Sequence, residues 1–252
     1  AYYVFEVINR NVLLPEYLMM WFNRSDSDRY VGFISGGDVR GGISWSDFCT
    51  MPIIVPNIEI QKEIVKDYNI ISNRIEINNQ LIQKCEETAQ AIYKRWFVEY
   101  EFPDKKGKPY QSNGGEMEYN EELDLEIPKG WEVQTIKKYC KDMKSGGTPN
   151  RSVKEYWDTK DIPWLKTGET KNNIIINSEE YISNKGLKES SAKLLPIDTV
   201  LMSMYGVNAG EIGILKFESS TNQASCGMIC KNPKQSAHLY YHLLVNQSNI
   251  AN

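Results

Sequence analysis

Cys226, Cys230, His238 and His242 stand in the order C-x3-C-x7-H-x3-H, and the last two are the only histidines of the chain. Thiolate and imidazole donors at such spacing raise the chemistry of zinc. The stretch between the inner pair is short for a zinc finger. Cys226 and Cys230 also suit one face of a strand as small apolar residues. A faint internal repeat speaks against the metal too. A shift of 223 residues sets AYYVFEVINRNVLLPEYLMMWFN on ASCGMICKNPKQSAHLYYHLLVN. Ala1, Asn9, Tyr17, Asn23 and Ser25 then meet identical residues at 224, 232, 240, 246 and 248, and a strand-loop-helix pattern recurs. The counterparts of the four candidate ligands are Tyr3, Val7, Pro15 and Met19, which cannot bind zinc. No metal site is expected.

Other catalytic patterns are missing. The chain has no G-x-x-x-x-G-K-[ST] loop, no G-x-G-x-x-G after a strand and no G-x-S-x-G elbow. No pair of carboxylates is marked by spacing as an acid/base couple. SGGTP at 145–149 is a turn able to offer backbone N–H groups to a phosphate, though such a sequence is more often an ordinary loop. No catalytic residue and no cofactor are expected.

Charge is unevenly spread. The whole chain carries a net charge of -4. Residues 99–126 hold nine acids against three lysines, whereas residues 133–175 hold nine Lys or Arg against five acids. A basic stretch in an acidic chain is either a solvated face or a polyanion footprint. Its polar residues suit DNA. Lys144, Arg151, Lys166 and Lys171 can neutralise phosphates. Ser145, Thr148, Asn150, Thr167, Thr170, Asn172 and Asn208 supply hydroxyls and amides of the kind that contact phosphates or base edges. Tyr205 sits beside a turn and joins this expected DNA-binding set.

A different feature must position these groups. Residues 58–97 contain neither Gly nor Pro. Tyr68, Ile71, Ile75, Asn78, Ile82, Cys85, Ala89, Ile92 and Trp96 recur at alternating steps of three and four, a heptad seam held for four repeats. At 1.5 Å per residue this predicts a helix about 60 Å long. Asn57 is the expected N-cap, with Glu59 in the first turn. A polar Asn78 in the seam can fix register. The chain offers no second helix of that length, so the seam requires one from another copy or another subunit.

Four segments follow. Residues 1–50 read as the end of a first domain, with a β-type run at Tyr2–Ile8, a short helix at Pro15–Asn23 and a Gly-rich stretch at 34–44. Residues 57–100 form the coiled-coil spacer, 101–129 a linker, and 130–252 a second domain opened by the Pro128-Lys129-Gly130-Trp131 turn. That second domain alternates short strands with turns and ends in a helix, AHLYYHLLVN. The predicted class is α+β: mixed domains joined by a long coiled-coil helix. No apolar run is long enough to span a membrane. Five irregularly spaced cysteines suit reduced thiols in a cytoplasm. The first residue is Ala1, so the chain reads as an internal piece.

The order EIPKGWEV, SGGTPNRSVKEYW, DIPWLKTGE, SSAKLLPIDTVLMSMYGVNAGEIGIL and TNQAS resembles the target-recognition domains of type I restriction–modification specificity subunits. The earlier half, ISGGDVRGGISWSDFCTMPIIVPNIEIQKEIV followed by the seam and RWFVEYEFP, is similar to the end of a first such domain running into the central spacer helix. The resemblance implies a non-catalytic subunit that reads a bipartite double-stranded DNA target. It implies methylation and restriction subunits as partners. It also implies a second spacer helix, supplied here by self-association of two copies if the chain is truncated. Against it stand two readings: the recognition domain of a fused restriction–methyltransferase, and a coiled-coil adaptor whose β-rich domain binds protein or carbohydrate.

Overall fold

A computed structural model describes residues 4–35, 42–171 and 173–250. Two compact units divide at Cys85 and Glu86. In the first, Pro15 opens α1 (Pro15–Phe22) from the one position where its missing N–H costs nothing. Then come α2 (Ser25–Ile34), with Asp26 and Asp28 in its first turn, and α3 (Trp45–Cys49), capped by the Ser44 hydroxyl. The predicted strand at Tyr2–Ile8 does not form over its described part, Val4–Ile8. No described segment pairs with it, and Phe5 packs instead among Phe22, Trp45 and Phe48 with ring centroids 5.5–6.2 Å away. Most of the Gly-rich stretch, 36–41, lies outside the described residues.

The predicted long helix is α4 (Ile58–Tyr93), 36 residues without a break. The Asn57 side chain accepts from Ile60 N–H at 3.0 Å, as the N-cap expectation required. Gln61 ties the helix start to the chain before it. Its Oε1 accepts from Leu14 N–H, and its Nε2 donates to the carbonyls of Val12 and Pro56. Gln61 is fully buried, a cost that these three bonds offset. Beyond Tyr93 the helix widens into one π-helical turn, Lys94–Val98. The wider turn stacks Phe97 on Tyr93 at 5.1 Å.

In the second unit the predicted linker is ordered. It carries the hairpin β1 (Met117–Asn120) and β2 (Leu125–Pro128). The Pro128–Trp131 turn closes with a 3.0 Å hydrogen bond, and Gly130 takes the φ of +85° that a side chain would resist. Trp131 then stacks on Phe102 at 5.3 Å.

The expected alternation of short strands and turns forms, ahead of the expected helix near the end. After α5 (Ile136–Tyr139) come β3 (Asp142–Ser145), β4 (Ile162–Leu165), β5 (Asn173–Ile175), β6 (Glu180–Ile182), α6 (Asn184–Lys188), β7 (Val200–Ser203), β8 (Ile212–Leu215), β9 (Ser220–Thr221), β10 (Ser225–Ile229), α7 (Pro233–Val245) and α8 (Gln247–Ile250). A five-stranded sheet runs β3-β10-β7-β8-β5 and a three-stranded one β6-β4-β9. Strand alternation divides the core. Val200, Ile212, Ile214 and Met228 face Leu239, Tyr240 and Leu243 of α7. Leu201 and Leu215 point to the other face and pack with Leu165 of β4. Each fully buried Leu or Ile contributes about 1.5–3 kcal/mol.

Candidate nucleic-acid interface

The basic stretch folds into loops around β3, β4 and β6. Arg151 lies with its guanidinium 3.7 Å from the Trp157 ring centre and 4.8 Å from that of Trp164. Trp164 is almost fully buried, and its indole N–H donates to the Gly147 carbonyl at 2.9 Å. Arg151 also pairs with Glu180. Lys166 Nζ sits 2.8 Å from Glu180 and 3.5 Å from Glu179. Burial pushes the Glu180 carboxyl up, but hydrogen bonds from Lys166 and Arg151 outweigh it and hold it below the usual range. Lys166 is raised by its hydrogen bond to the same carboxylate.

The remaining expected DNA-binding residues divide into three places. Lys144 and Ser145 lie on the edge strand β3, with Lys144 3.6 Å from Asp142. Thr148 donates to Gln223 at 2.6 Å, and the Asn150 side chain accepts from Ser152 N–H. Thr167 and Lys171 flank the turn after β4, where Lys171 has a φ of +42° and its N–H donates to Glu211. The β7–β8 loop meets that turn: a Cβ built on Gly168 would lie 3.6 Å from the Asn208 amide. Tyr205, on the same loop, is exposed. Asn172 lies outside the described residues.

One expectation changes. Thr170 is 2% exposed, and its hydroxyl donates to the Thr167 carbonyl and lies 3.1 Å from that of Ser203. It is an interior residue rather than a contact. The SGGTP turn is an ordinary loop, as such a sequence more often is, with its glycine amides already paired. Gly146 N–H donates to the Ser225 carbonyl at 3.2 Å, and Gly147 N–H to the Thr221 carbonyl at 2.8 Å.

The seam residues lie along one helix. Tyr68, Ile71, Ile75, Ile82, Ile92 and Trp96 are each at least 38% exposed, Asn78 and Cys85 are exposed, and Ala89 is half-buried. A row of apolar side chains left in water has the pattern of a docking face for another helix.

The histidine pair sits on α7. His238 Nδ1 lies 3.1 Å from the Tyr139 hydroxyl and His242 Nδ1 3.0 Å from that of Tyr93. Among the described residues, no three His, Cys, Asp or Glu side chains gather into a metal-binding group. Burial lowers both imidazoles from 6.5, with the neighbouring His242 adding to the effect at His238. Between that value and the lowered ones the unfolded chain binds more protons than the folded chain. Stability is therefore complete above about pH 6.5 and lost as pH falls through the window below it. The melting temperature should hold level from pH 8 to 7 and drop between pH 6.5 and 5. H238Q/H242Q should flatten that drop; an equal drop in the double variant would assign it elsewhere.

Residues 128–252 match the family model described as the type I restriction modification DNA specificity domain. The chain is 26% identical over 214 residues to the specificity subunit of the type I restriction enzyme MjaIX of Methanocaldococcus jannaschii, covering 84% of this chain and 47% of the relative. The chain belongs to the type I restriction specificity-subunit family. A second member, the HindI specificity subunit of Haemophilus influenzae, is 23% identical, covering 93% of this chain and 61% of the relative. The chain thus spans about half the length of the curated relatives it matches. The fold is also that of the type I specificity subunit from M. genitalium, with a TM-score of 0.52 at 14% identity over 96% of this chain and 56% of that one.

All twelve residues of the expected DNA-binding set fall inside the specificity domain. Residue types alone did not point to Glu179, Glu180 and Trp157. Glu180 is 29 residues from Arg151, and only the pairing of β6 with β4 brings them together.

Proposed function

We propose that the chain is the DNA-reading part of a type I specificity subunit. Its second unit reads one half of a bipartite duplex target, and α4 sets the distance to the reader of the other half. The observation that carries this is the coincidence of the specificity-domain match, 128–252, with the sheet-bearing part of the second unit that presents Lys144, Arg151, Lys166 and Lys171. Ser145, Thr148, Asn150, Thr167, Asn172, Tyr205 and Asn208 complete the proposed surface. Residues 57–100 act as spacer, and 1–50 belong to the end of the first reader. Methylation and restriction subunits assemble on this scaffold, which contributes no catalytic group or cofactor and works in the cytoplasm. The exposed seam takes a second spacer helix, including one from another copy.

Phosphate neutralisation releases counterions, so log K should fall linearly with log salt, with a slope of about -0.9 per phosphate contacted. Lys144→Ala with Lys166→Ala should reduce duplex affinity about tenfold or more at low salt and make the slope shallower by about two. Equal affinity across several salt concentrations would reject this face. A wild-type slope near zero would favour a protein- or carbohydrate-binding adaptor.

A further inference from the structure

We propose that Glu180, with Glu179 beside it, is an electrostatic gate on DNA docking: it occupies Arg151 and Lys166 in the free chain and competes with DNA phosphate for them. This rests on the DNA-reading function above.

Glu180 bridges the two cations, and Glu179 holds Lys166 from a second side. The Arg151 guanidinium rests against the Trp157 and Trp164 rings with its side chain half-exposed. A duplex phosphate that pairs with these cations competes with the carboxylates for them. Partly exposed ion pairs of this kind are weak, so the exchange of carboxylate for phosphate is accessible. It is nevertheless not free. Each phosphate gained loses a carboxylate contact, and each displaced carboxylate repels the backbone.

Both kinds of complex bear this cost. Loose binding to any sequence gains only phosphate contacts, so the exchange removes most of its advantage. Binding to the correct half-site also gains base contacts, which offset the displacement. The carboxylates thus lower affinity for a duplex of any sequence, and only a site with base contacts to add binds tightly in spite of them.

E180Q removes the charge and keeps the side-chain shape and an acceptor oxygen. Binding of the full chain to a random-sequence duplex should tighten about 3- to 10-fold at 50 mM salt, and its salt slope should steepen by about one. E179Q touches only Lys166 and should shift both in the same direction by less. A merely structural Glu180 would weaken binding along with the melting temperature, which is recorded for each variant. If E180Q fails to fold, E179Q decides by the same readouts. Wild-type binding with unchanged or weaker binding in the variants overturns the gate and leaves the DNA reading standing. Duplex binding by neither wild type nor variants overturns both.

Discussion

Seven residues added to the middle of α4 should lengthen the gap between the two DNA half-sites by about three base pairs and leave the bases of each half-site unchanged. Seven residues of helix add about 10.5 Å, and B-DNA rises about 3.4 Å per base pair. A whole heptad is needed because the seam from Tyr68 to Trp96 repeats every seven residues. An insertion of that length keeps Ile71, Ile75 and Ile82 on one stripe, whereas an insertion of five or six would turn half of it away. The added segment should contain neither Gly nor Pro, matching the 36 uninterrupted residues of the helix. Sequencing the sites methylated by the assembled complex reads both spacing and bases. An unchanged gap would show that α4 does not set the distance. A changed base preference would show that it does more than that.

Gly146→Ala should unsettle the second unit more than any surface change. A Cβ built on Gly146 would lie 2.1 Å from the Asn222 carbonyl oxygen, 2.2 Å from the Thr221 hydroxyl and 2.4 Å from the Thr221 carbonyl. Two of these are backbone atoms beside β9, so no side chain can rotate away to make room. Overpacking of this severity costs about 3 kcal/mol or more. For a unit of this size that lowers the melting temperature by about 6–12 °C. Gly168→Ala is the control, because its nearest neighbour would be the Asn208 amide at an ordinary 3.6 Å. Thermal denaturation followed by circular dichroism separates the two. A Gly146→Ala chain melting within 2 °C of wild type would mean that the loop gives way.

These two glycines also show where the sequence could be read and where it could not. The long helix was legible because its evidence is local: a cap at Asn57, no breaker through residue 97 and apolar residues at steps of three and four. The strands of the second unit were legible for the same reason, as short β-type runs between turns. SGGTP was readable as a loop, but the partners of its amides were not, because Thr221 and Ser225 lie more than 70 residues away and reach them through the β3–β10 pairing. Thr170 suggested a surface hydroxyl because nothing local marks its neighbour Ser203. The Val4–Ile8 segment has strand-like residues but no described partner strand, and a strand is a property of two segments rather than one. Charge counting along 133–175 missed Glu179 and Glu180 by a few residues, yet those carboxylates hold two of the cations it counted.

The central claim is that residues 128–252 read DNA and α4 only measures. Exchanging residues 128–252 for the matching segment of a family member with a different target tests it most directly, with the methylated sites of the assembled complex sequenced before and after. One half of the bipartite sequence should change to the donor's, with the other half and the spacing retained. An active hybrid that methylates the original sequence in both halves would contradict it.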